Sequence, residues 1–192
     1  MAKKICIFTA STLTRSPKLR GIITSFATQL AHRNYHLIMG GMSTGNMELA
    51  GKTFLNAGGH ATIIYPDDYA HRQRELQHPN LTHIPVPDIT QRVGLMYTMT
   101  DASVTFPGGI GTLHELAQMD ADNQAGTCNL QARTPKPHVK FNYKGFYRGT
   151  IIQHKRCYTA GYIPDKHMQL LKFTNNWEDI LPMLEAALPH AT

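Results

Sequence analysis

The chain has 192 residues, of which 42% are hydrophobic and 17% are charged. This composition is typical of an ordinary globular protein and excludes a disordered or fibrous chain. The formal net charge is +6 at pH 7, which favours anionic ligands. Because the basic residues are scattered and form no arm, we expect a small phosphorylated partner and no nucleic acid. The length suits one domain with a hydrophobic core.

The cysteines and the apolar runs bear on the compartment of the protein. Its three cysteines form no Cys-x-x-Cys pair, which argues against a disulfide framework and favours a reducing environment. No apolar run approaches the roughly eighteen residues that a membrane span needs, and the apolar stretch at residues 5–8 is too short for a signal peptide. We therefore expect a cytoplasmic protein with no membrane partner, and we expect no metal and no cofactor.

Short apolar runs alternate with amphipathic segments of helix length, which is the pattern of βαβ units in a parallel sheet. The pattern predicts strands at residues 5–9, 35–39, 60–65, 81–85, 103–106, 139–142 and 170–173. It predicts helices that begin at Ser16-Pro17 and Asp88, others at 46–57, 145–160 and 177–188, and one after residue 112. Residues 123–137 are predicted to form a loop. We expect an α/β fold: a single doubly wound, mainly parallel sheet with helices on both faces, forming one Rossmann-like nucleotide-binding domain over residues 1–192.

Two Gly-rich turns, at residues 40–45 and 107–112, each lie between a predicted strand and the next helix. Ligands of open parallel sheets bind at the carboxyl ends of the strands, where glycines allow close approach and a helix N-terminus attracts phosphate. One such turn could equally be a tight connection, but two turns, with Ser11 after the first strand, favour a nucleotide phosphate site. The predicted phosphate-binding residues are Ser11, Gly41, Ser43, Thr44, Gly45, Gly108, Gly109, Gly111 and Thr112.

Two other patterns overlap these turns. Residues 41–45 fit the G-x-S-x-G motif of a hydrolase nucleophile, but a serine hydrolase would leave the second turn without a role. Thr112 and Glu115 fit a capping box, in which the carboxylate only satisfies backbone N–H groups. From spacing alone, the capping box is the more common reason for this pair.

Residues 107–115 read Pro-Gly-Gly-Ile-Gly-Thr-Leu-His-Glu. They match every fixed position of PGGxGTxxE, the motif of the Lonely guy family of cytokinin-activating phosphoribohydrolases, some of which are labelled lysine decarboxylases. Gly40, Gly41 and Gly45 match the first glycine loop of that family, and residues 142–147 match its Asn-x-x-Gly-[FY]-[FY] stretch. Arg92 stands at the position of the family's catalytic arginine. The chain therefore resembles this family from residue 5 to about residue 163.

The resemblance implies hydrolysis of the N-glycosidic bond of a nucleoside 5′-monophosphate, which gives a free base and ribose 5-phosphate. Glu115 would be the catalytic carboxylate and Arg92 would orient it or bind substrate oxygens, and the protein would be a homodimer. The chain departs from the family pattern at Gln91 and Val93, which replace charged residues, and in the segment 120–135. These departures favour an alternative, a non-catalytic nucleotide- or cofactor-binding carrier module on the same fold.

Overall fold

The computed structural model describes residues 2–127 and 134–188, which contain one seven-stranded sheet and the helices around it. The strands are β1 (Lys4–Phe8), β2 (His36–Met39), β3 (His60–Pro66), β4 (Leu81–Val86), β5 (Ala102–Thr105), β6 (His138–Phe141) and β7 (Lys172–Thr174). The α-helices are α1 (Pro17–His32), α2 (Gly45–Asn56), α3 (Ala70–Arg74), α4 (Ile89–Met99), α5 (Ile110–Thr127), α6 (Arg148–Thr159), α7 (Asp165–Met168) and α8 (Ile180–Ala187). Short 3-10 turns precede α3, α6 and α8, at Asp67–Tyr69, Tyr143–Gly145 and Trp177–Asp179.

All strand pairs of the sheet are parallel, in the order β4-β3-β2-β1-β5-β6-β7. The chain builds one half outward from β1 to β4 and then returns to place β5 on the other side of β1. In register, Ile5 of β1 lies beside Leu37 of β2 and Ala102 of β5. The predicted α/β fold with a doubly wound parallel sheet is confirmed. The strand order reverses between the neighbouring strands β1 and β5, which is the topological switch point of the sheet.

Hydrophobic cores lie on both faces of the sheet because the side chains of a strand alternate between the faces. Ile5 and Ile7 of β1 belong to one core, which includes buried residues of α1, α2 and α8. Cys6 and Phe8 belong to the other, with buried residues of α4 and α5. Helices therefore cover both faces, and β1 is buried along its length except at Lys4.

Two helix starts follow the sequence prediction closely. The hydroxyl of Ser16 accepts a hydrogen bond from the backbone N–H of Leu19 at 3.2 Å, with Pro17 in the first position of α1. The carboxylate of Asp88 accepts from the N–H of Gln91 at 2.8 Å at the start of α4. Both are side-chain caps of orphan backbone donors, which is why a local motif was enough to locate them.

The predicted loop at 123–137 is wrong in its first part. Helix α5 continues to Thr127, and Asn123 is buried inside it with 1% of its surface exposed. The Asn123 amide accepts from the N–H of Lys136 and donates to its carbonyl, both at 2.8 Å. That pairing satisfies a polar helix residue which the sequence suggested for a loop, while residues 134–137 are irregular as predicted and 128–133 lie outside the described residues.

The helices in the described ranges include none that is long and apolar enough to cross a membrane. In the same ranges, no three His, Cys, Asp or Glu side chains are grouped so that they could hold a metal ion. Cys6 and Cys157 are free thiols, and Cys128 lies outside the described residues.

Candidate active site

A cavity of about 470 Å³ opens at the carboxyl ends of the central strands. Thr9 and Ser11 reach it from the end of β1, and Gly40 reaches it from the end of β2. Gly109 and its neighbours up to Thr112 reach it from the loop that follows β5. The cavity thus lies at the switch point, where an open parallel sheet binds its ligands.

The first glycine turn is held by close backbone contacts. Gly45 has a φ of +63°, and a Cβ at this position would lie 2.3 Å from the carbonyl oxygen of Ser11. The N–H of Met47 donates to the Ala10 carbonyl at 3.2 Å, and the N–H of Thr14 donates to the Asn46 side chain at 2.9 Å. These contacts bring the loop after β1 against the start of α2, so that both border one cavity.

Hydroxyl groups of this turn line the cavity. Thr44 stands at the N-cap of α2, but its side chain makes no capping hydrogen bond. The Oγ of Ser43 accepts a hydrogen bond from Gln73 Nε2 at 2.8 Å. In the described part of the chain, Ser43 has no histidine partner that would act as a base, so its G-x-S-x-G setting lacks what a serine nucleophile needs.

The second glycine turn leads directly into α5. Gly109 and Gly111 line the cavity and have open space where a Cβ would be, whereas a Cβ at Gly108 would meet the Thr112 hydroxyl oxygen at 2.1 Å. Thr112 therefore folds back over Gly108, with 3% of its surface exposed. The first N–H groups of α5 have no intrahelical acceptor, and together with the helix dipole they favour an anion here.

Arg92 and Glu115 form an ion pair beside the first turn. Arg92 Nη2 donates to Glu115 Oε1 at 2.6 Å, and Arg92 Nη1 donates to the Gly40 carbonyl at 3.1 Å. Only 11% of the Arg92 side chain and 6% of the Glu115 side chain are exposed. A Cβ at Gly40 would lie 2.9 Å from Arg92 Nη1 and 3.3 Å from Glu115 Oε1, so glycine leaves the room that the pair occupies.

The environment of Glu115 favours its protonated form. Burial raises the pKa of this carboxyl to about 7, although the positive charge of Arg92 lowers it. Burial also raises the pKa of the Cys6 thiol, and the nearby charge of Glu115 raises it further. A carboxyl whose pKa lies near neutral pH can exchange protons during a reaction, as general acid–base chemistry requires.

Two buried polar atoms of the cavity residues have no hydrogen-bond partner among the residues that the structure describes. They are Arg92 Nε and the hydroxyl oxygen of Thr9. Buried polar groups are nearly always paired with protein, water or ligand. Both atoms belong to residues that line the cavity, and both are themselves buried.

The cavity brings together most of the residues predicted from the sequence. Glu115, Arg92, Ser11, Ser43, Thr44, Gly109, Gly111 and Thr112 line it. Three predicted glycines do not line the cavity. Gly41 leaves room for the Gln73 side chain, Gly45 for the Ser11 backbone and Gly108 for Thr112. Their predicted phosphate contact remains a prediction. The carboxylate of Glu115 pairs with Arg92 and makes no capping bond to the described backbone.

One wall of the cavity is formed by residues that were not predicted from the sequence. Tyr69, Arg72 and Gln73 line it from α3 and the turn before it, in a polar stretch without a recognisable motif. Ile89 and Ile110 add an apolar rim, and 45% and 83% of their surfaces are exposed. No local pattern indicates these positions, because their shared location depends on how α3, α4 and α5 pack.

Solved structures of other proteins share this architecture. The molybdenum cofactor binding protein of the phototrophic bacterium Rippkaea orientalis has a TM-score of 0.68, at 16% identity over 97% of both chains. The molybdenum cofactor carrier protein of Chlamydomonas reinhardtii has a TM-score of 0.64, at 16% identity over 97% of this chain and 98% of that one. The chain is thus a Rossmann-type α/β protein with its cavity at the switch point.

Comparison of sequences identifies the family. The family described as "possible lysine decarboxylase" matches residues 47–184. The cytokinin riboside 5′-monophosphate phosphoribohydrolase LOG1 of Arabidopsis thaliana is 26% identical over 188 residues, which cover 97% of this chain and 84% of that protein. The chain belongs to this family, and the resemblance to the Lonely guy proteins that residues 107–115 indicated is confirmed.

Proposed function

We propose that the protein hydrolyses the N-glycosidic bond of a nucleoside 5′-monophosphate to a free base and ribose 5-phosphate. The buried Arg92–Glu115 pair carries the proposal, because it lies in a cavity that both glycine turns border. The family relationship at 26% identity supports the reaction class. The ligand expected here is a phosphorylated small molecule, in agreement with the polar turns.

The phosphate of the substrate lies at the turns, near the N-terminus of α5 and the hydroxyl groups of Ser43 and Thr44. Binding energy from this remote group positions the sugar beside Glu115. As the bond to the base breaks, positive charge develops on the sugar, and the ionised carboxylate of Glu115 stabilises it. The carboxylate takes a proton from the attacking water, whose oxygen bonds to C1′ as the bond from C1′ to the base breaks. The bonding electrons leave with the base, which takes a proton from solvent, and Glu115 then releases its own proton to solvent.

Arg92 has an orienting role in this reaction. Its two hydrogen bonds, to Glu115 and to the Gly40 carbonyl, hold the carboxylate at the cavity wall. Its charge also keeps part of the Glu115 population ionised against the effect of burial.

The first experiment measures ribose 5-phosphate release from AMP, GMP, CMP and isopentenyladenosine monophosphate. Glu115→Gln keeps the size of the side chain and an acceptor for Arg92 but cannot ionise. We expect this variant to lose turnover by at least about a thousandfold while it still binds the nucleotide. Glu48→Gln, at a half-exposed side chain that pairs with Lys52 and does not line the cavity, is the matched control and should keep wild-type turnover. Wild-type turnover in Glu115→Gln would contradict the mechanism.

A carrier function is the second candidate, and the fold shared with the two molybdenum cofactor proteins favours it. The uncharged neighbours of Arg92, Gln91 and Val93, point the same way. This candidate predicts no ribose 5-phosphate release from any of the nucleotides, with nucleotide binding that still raises the Tm. Release that depends on Glu115 would exclude it.

Three further properties belong to the same proposal. We propose that residues 1–192 form one domain, that the protein is a homodimer and that it is cytoplasmic. A single calorimetric transition and a dimer mass by light scattering are the expected results for the first two. Fractionation of cells that express the protein tests the third.

A further inference from the structure

The segment after β3 contributes Gln73, a buried residue of α3 that no sequence motif marks. Only 5% of its surface is exposed. Its side chain leaves α3 and contacts the first glycine turn, about 30 positions earlier in the chain. A buried amide in such a place must be hydrogen-bonded, because an unpaired one is costly.

Two hydrogen bonds define the orientation of the Gln73 amide. Its Oε1 accepts from the backbone N–H of Met42 at 3.0 Å, and its Nε2 donates to the Oγ of Ser43 at 2.8 Å. Because a backbone N–H can only donate, the amide oxygen must face Met42 and the NH₂ group must face Ser43. Gly41 makes this approach possible, since a Cβ there would lie 3.0 Å from Nε2.

This geometry determines what the hydroxyl of Ser43 can do. The oxygen accepts a hydrogen from Gln73, so the hydroxyl's own hydrogen is left for another acceptor. Ser43 lines the cavity, and its hydroxyl makes no second hydrogen bond with the residues that the structure describes. We infer that Gln73 is a positioning residue, which turns the Ser43 O–H into the cavity as a donor to the phosphate of the ligand.

The inference deepens the proposed function and rests on it for the presence of a phosphate at this turn. It also gives α3 a role. A helix of five residues is too short to be stable alone, and the Gln73 amide ties it to the turn. Tyr69 and Arg72, which line the same cavity, are thereby held at its wall.

Gln73→Glu tests the inference with a minimal change of shape. The carboxylate still accepts from the Met42 N–H, but at neutral pH it cannot donate to Ser43. It accepts the Ser43 hydrogen instead and so turns that hydrogen away from the cavity. We expect the Kd of ribose 5-phosphate, measured by titration calorimetry, to rise about tenfold or more, as loss of a hydrogen bond to a charged group predicts.

Two further variants separate positioning from other effects. In a Ser43→Ala background the donor is already absent, so Gln73→Glu should change the Kd by less than about threefold. Gln77→Glu adds the same charge to the same segment, at an exposed side chain that does not line the cavity, and should leave the Kd within about twofold of wild type.

Three results would overturn the inference. Unchanged affinity in Gln73→Glu would mean that Ser43 is not a donor to the phosphate. Equal losses of affinity in Gln73→Glu with and without Ser43 would mean that charge repulsion alone weakens binding. A wild-type protein that does not bind ribose 5-phosphate would show that this turn does not hold the phosphate. These titrations need no turnover. Ser43-dependent binding without nucleotide hydrolysis would therefore contradict the proposed function and keep the inference.

Discussion

At the scale of single residues, the carboxyl of Glu115 is shaped by two opposing influences. Burial raises its pKa to about 7, and Arg92 lowers it. If the ionised form is the reactive one, kcat/KM should rise with pH along a limb with an apparent pKa near 7, because this constant reports groups of the free enzyme. A pH–rate profile with AMP or another active nucleotide measures the limb.

The variant Arg92→Met tests whether Glu115 is the group that titrates along this limb of the pH–rate profile. Without the guanidinium, the pKa of Glu115 should rise, so the limb should move to higher pH and kcat/KM at pH 7 should fall by at least about tenfold. Arg20→Met is a suitable control, since Arg20 bonds the Thr14 carbonyl and does not line the cavity. A limb that stays in place in Arg92→Met would show that another group titrates.

Gly45 is a single position where geometry demands glycine. Alanine there would combine a left-handed φ of +63° with a Cβ 2.3 Å from the Ser11 carbonyl. We expect Gly45→Ala to lower the free energy of unfolding by at least about 2 kcal/mol and to weaken ribose 5-phosphate binding, because the loop after β1 must move. Chemical denaturation and calorimetry measure the two effects.

Gly58→Ala separates strain from the steric clash. Gly58 has a φ of +86° but no atom within 4 Å of the position that a Cβ would take. Gly58→Ala should therefore lower the free energy of unfolding by only about 1 kcal/mol and leave ribose 5-phosphate binding unchanged. Equal losses at the two glycines would mean that the Ser11 contact contributes nothing.

At the scale of elements, the strands, most helices and both glycine turns could be predicted because each has a local cause. Ser16 and Asp88 cap helices through neighbouring backbone groups, and buried strands appear as short apolar runs. The continuation of α5 to Thr127 could not be predicted, because Asn123 is satisfied by Lys136, which lies 13 positions later in the chain. Arg92 was recognised only through the family motif, since as an isolated residue it would be a solvated helix arginine.

A buried charge cluster joins α5 to β6. Lys140 Nζ donates to Asp120 Oδ1 at 2.5 Å, and His138 Nδ1 lies 3.2 Å from the same oxygen. Burial alone would raise the pKa of Asp120, but Lys140 and His138 hold it well below its usual range. Lys140 is fully buried. Its ion pair with Asp120 links the helix that carries Glu115 to the sheet.

Lys140→Met should therefore destabilise the protein by about 3–5 kcal/mol, since it leaves the buried Asp120 carboxylate without its cation. The double variant Lys140→Met with Asp120→Leu should recover most of this loss, because an apolar pair needs no compensation. Lys52→Met removes the exposed ion pair with Glu48 and should cost less than about 0.5 kcal/mol. Denaturant unfolding of wild type, these three variants and the single variant Asp120→Leu measures the differences, and additive losses in the double variant would contradict the expected coupling.

At the scale of the whole molecule, two sets of buried groups make stability depend on pH in opposite directions. Burial lowers the pKa of His138 to about 4, below the unfolded value of about 6.5, so this group lowers stability as the pH falls from 6.5 towards 4. Burial likewise lowers the pKa of His154 and His167. The raised pKa of Glu115 acts the other way, since its contribution is present below the unfolded value of about 4.5 and is lost as the pH rises through 7.

Glu115→Gln should isolate the contribution of Glu115 to this pH dependence of stability. At pH 5 the wild-type carboxyl is protonated in the fold and resembles the amide, whereas at pH 8 it is ionised and only partly compensated by Arg92. The variant should therefore gain stability relative to wild type between pH 5 and pH 8, by up to about 3 kcal/mol for a shift of this size. Urea unfolding at both pH values measures the gain, and Glu48→Gln, whose carboxylate pairs with Lys52 and does not line the cavity, is the control. A difference that does not change with pH would mean that Glu115 titrates alike in the folded and unfolded chain. A gain would mean that the fold gives up stability to keep an ionisable carboxylate in the cavity, as functional sites often do.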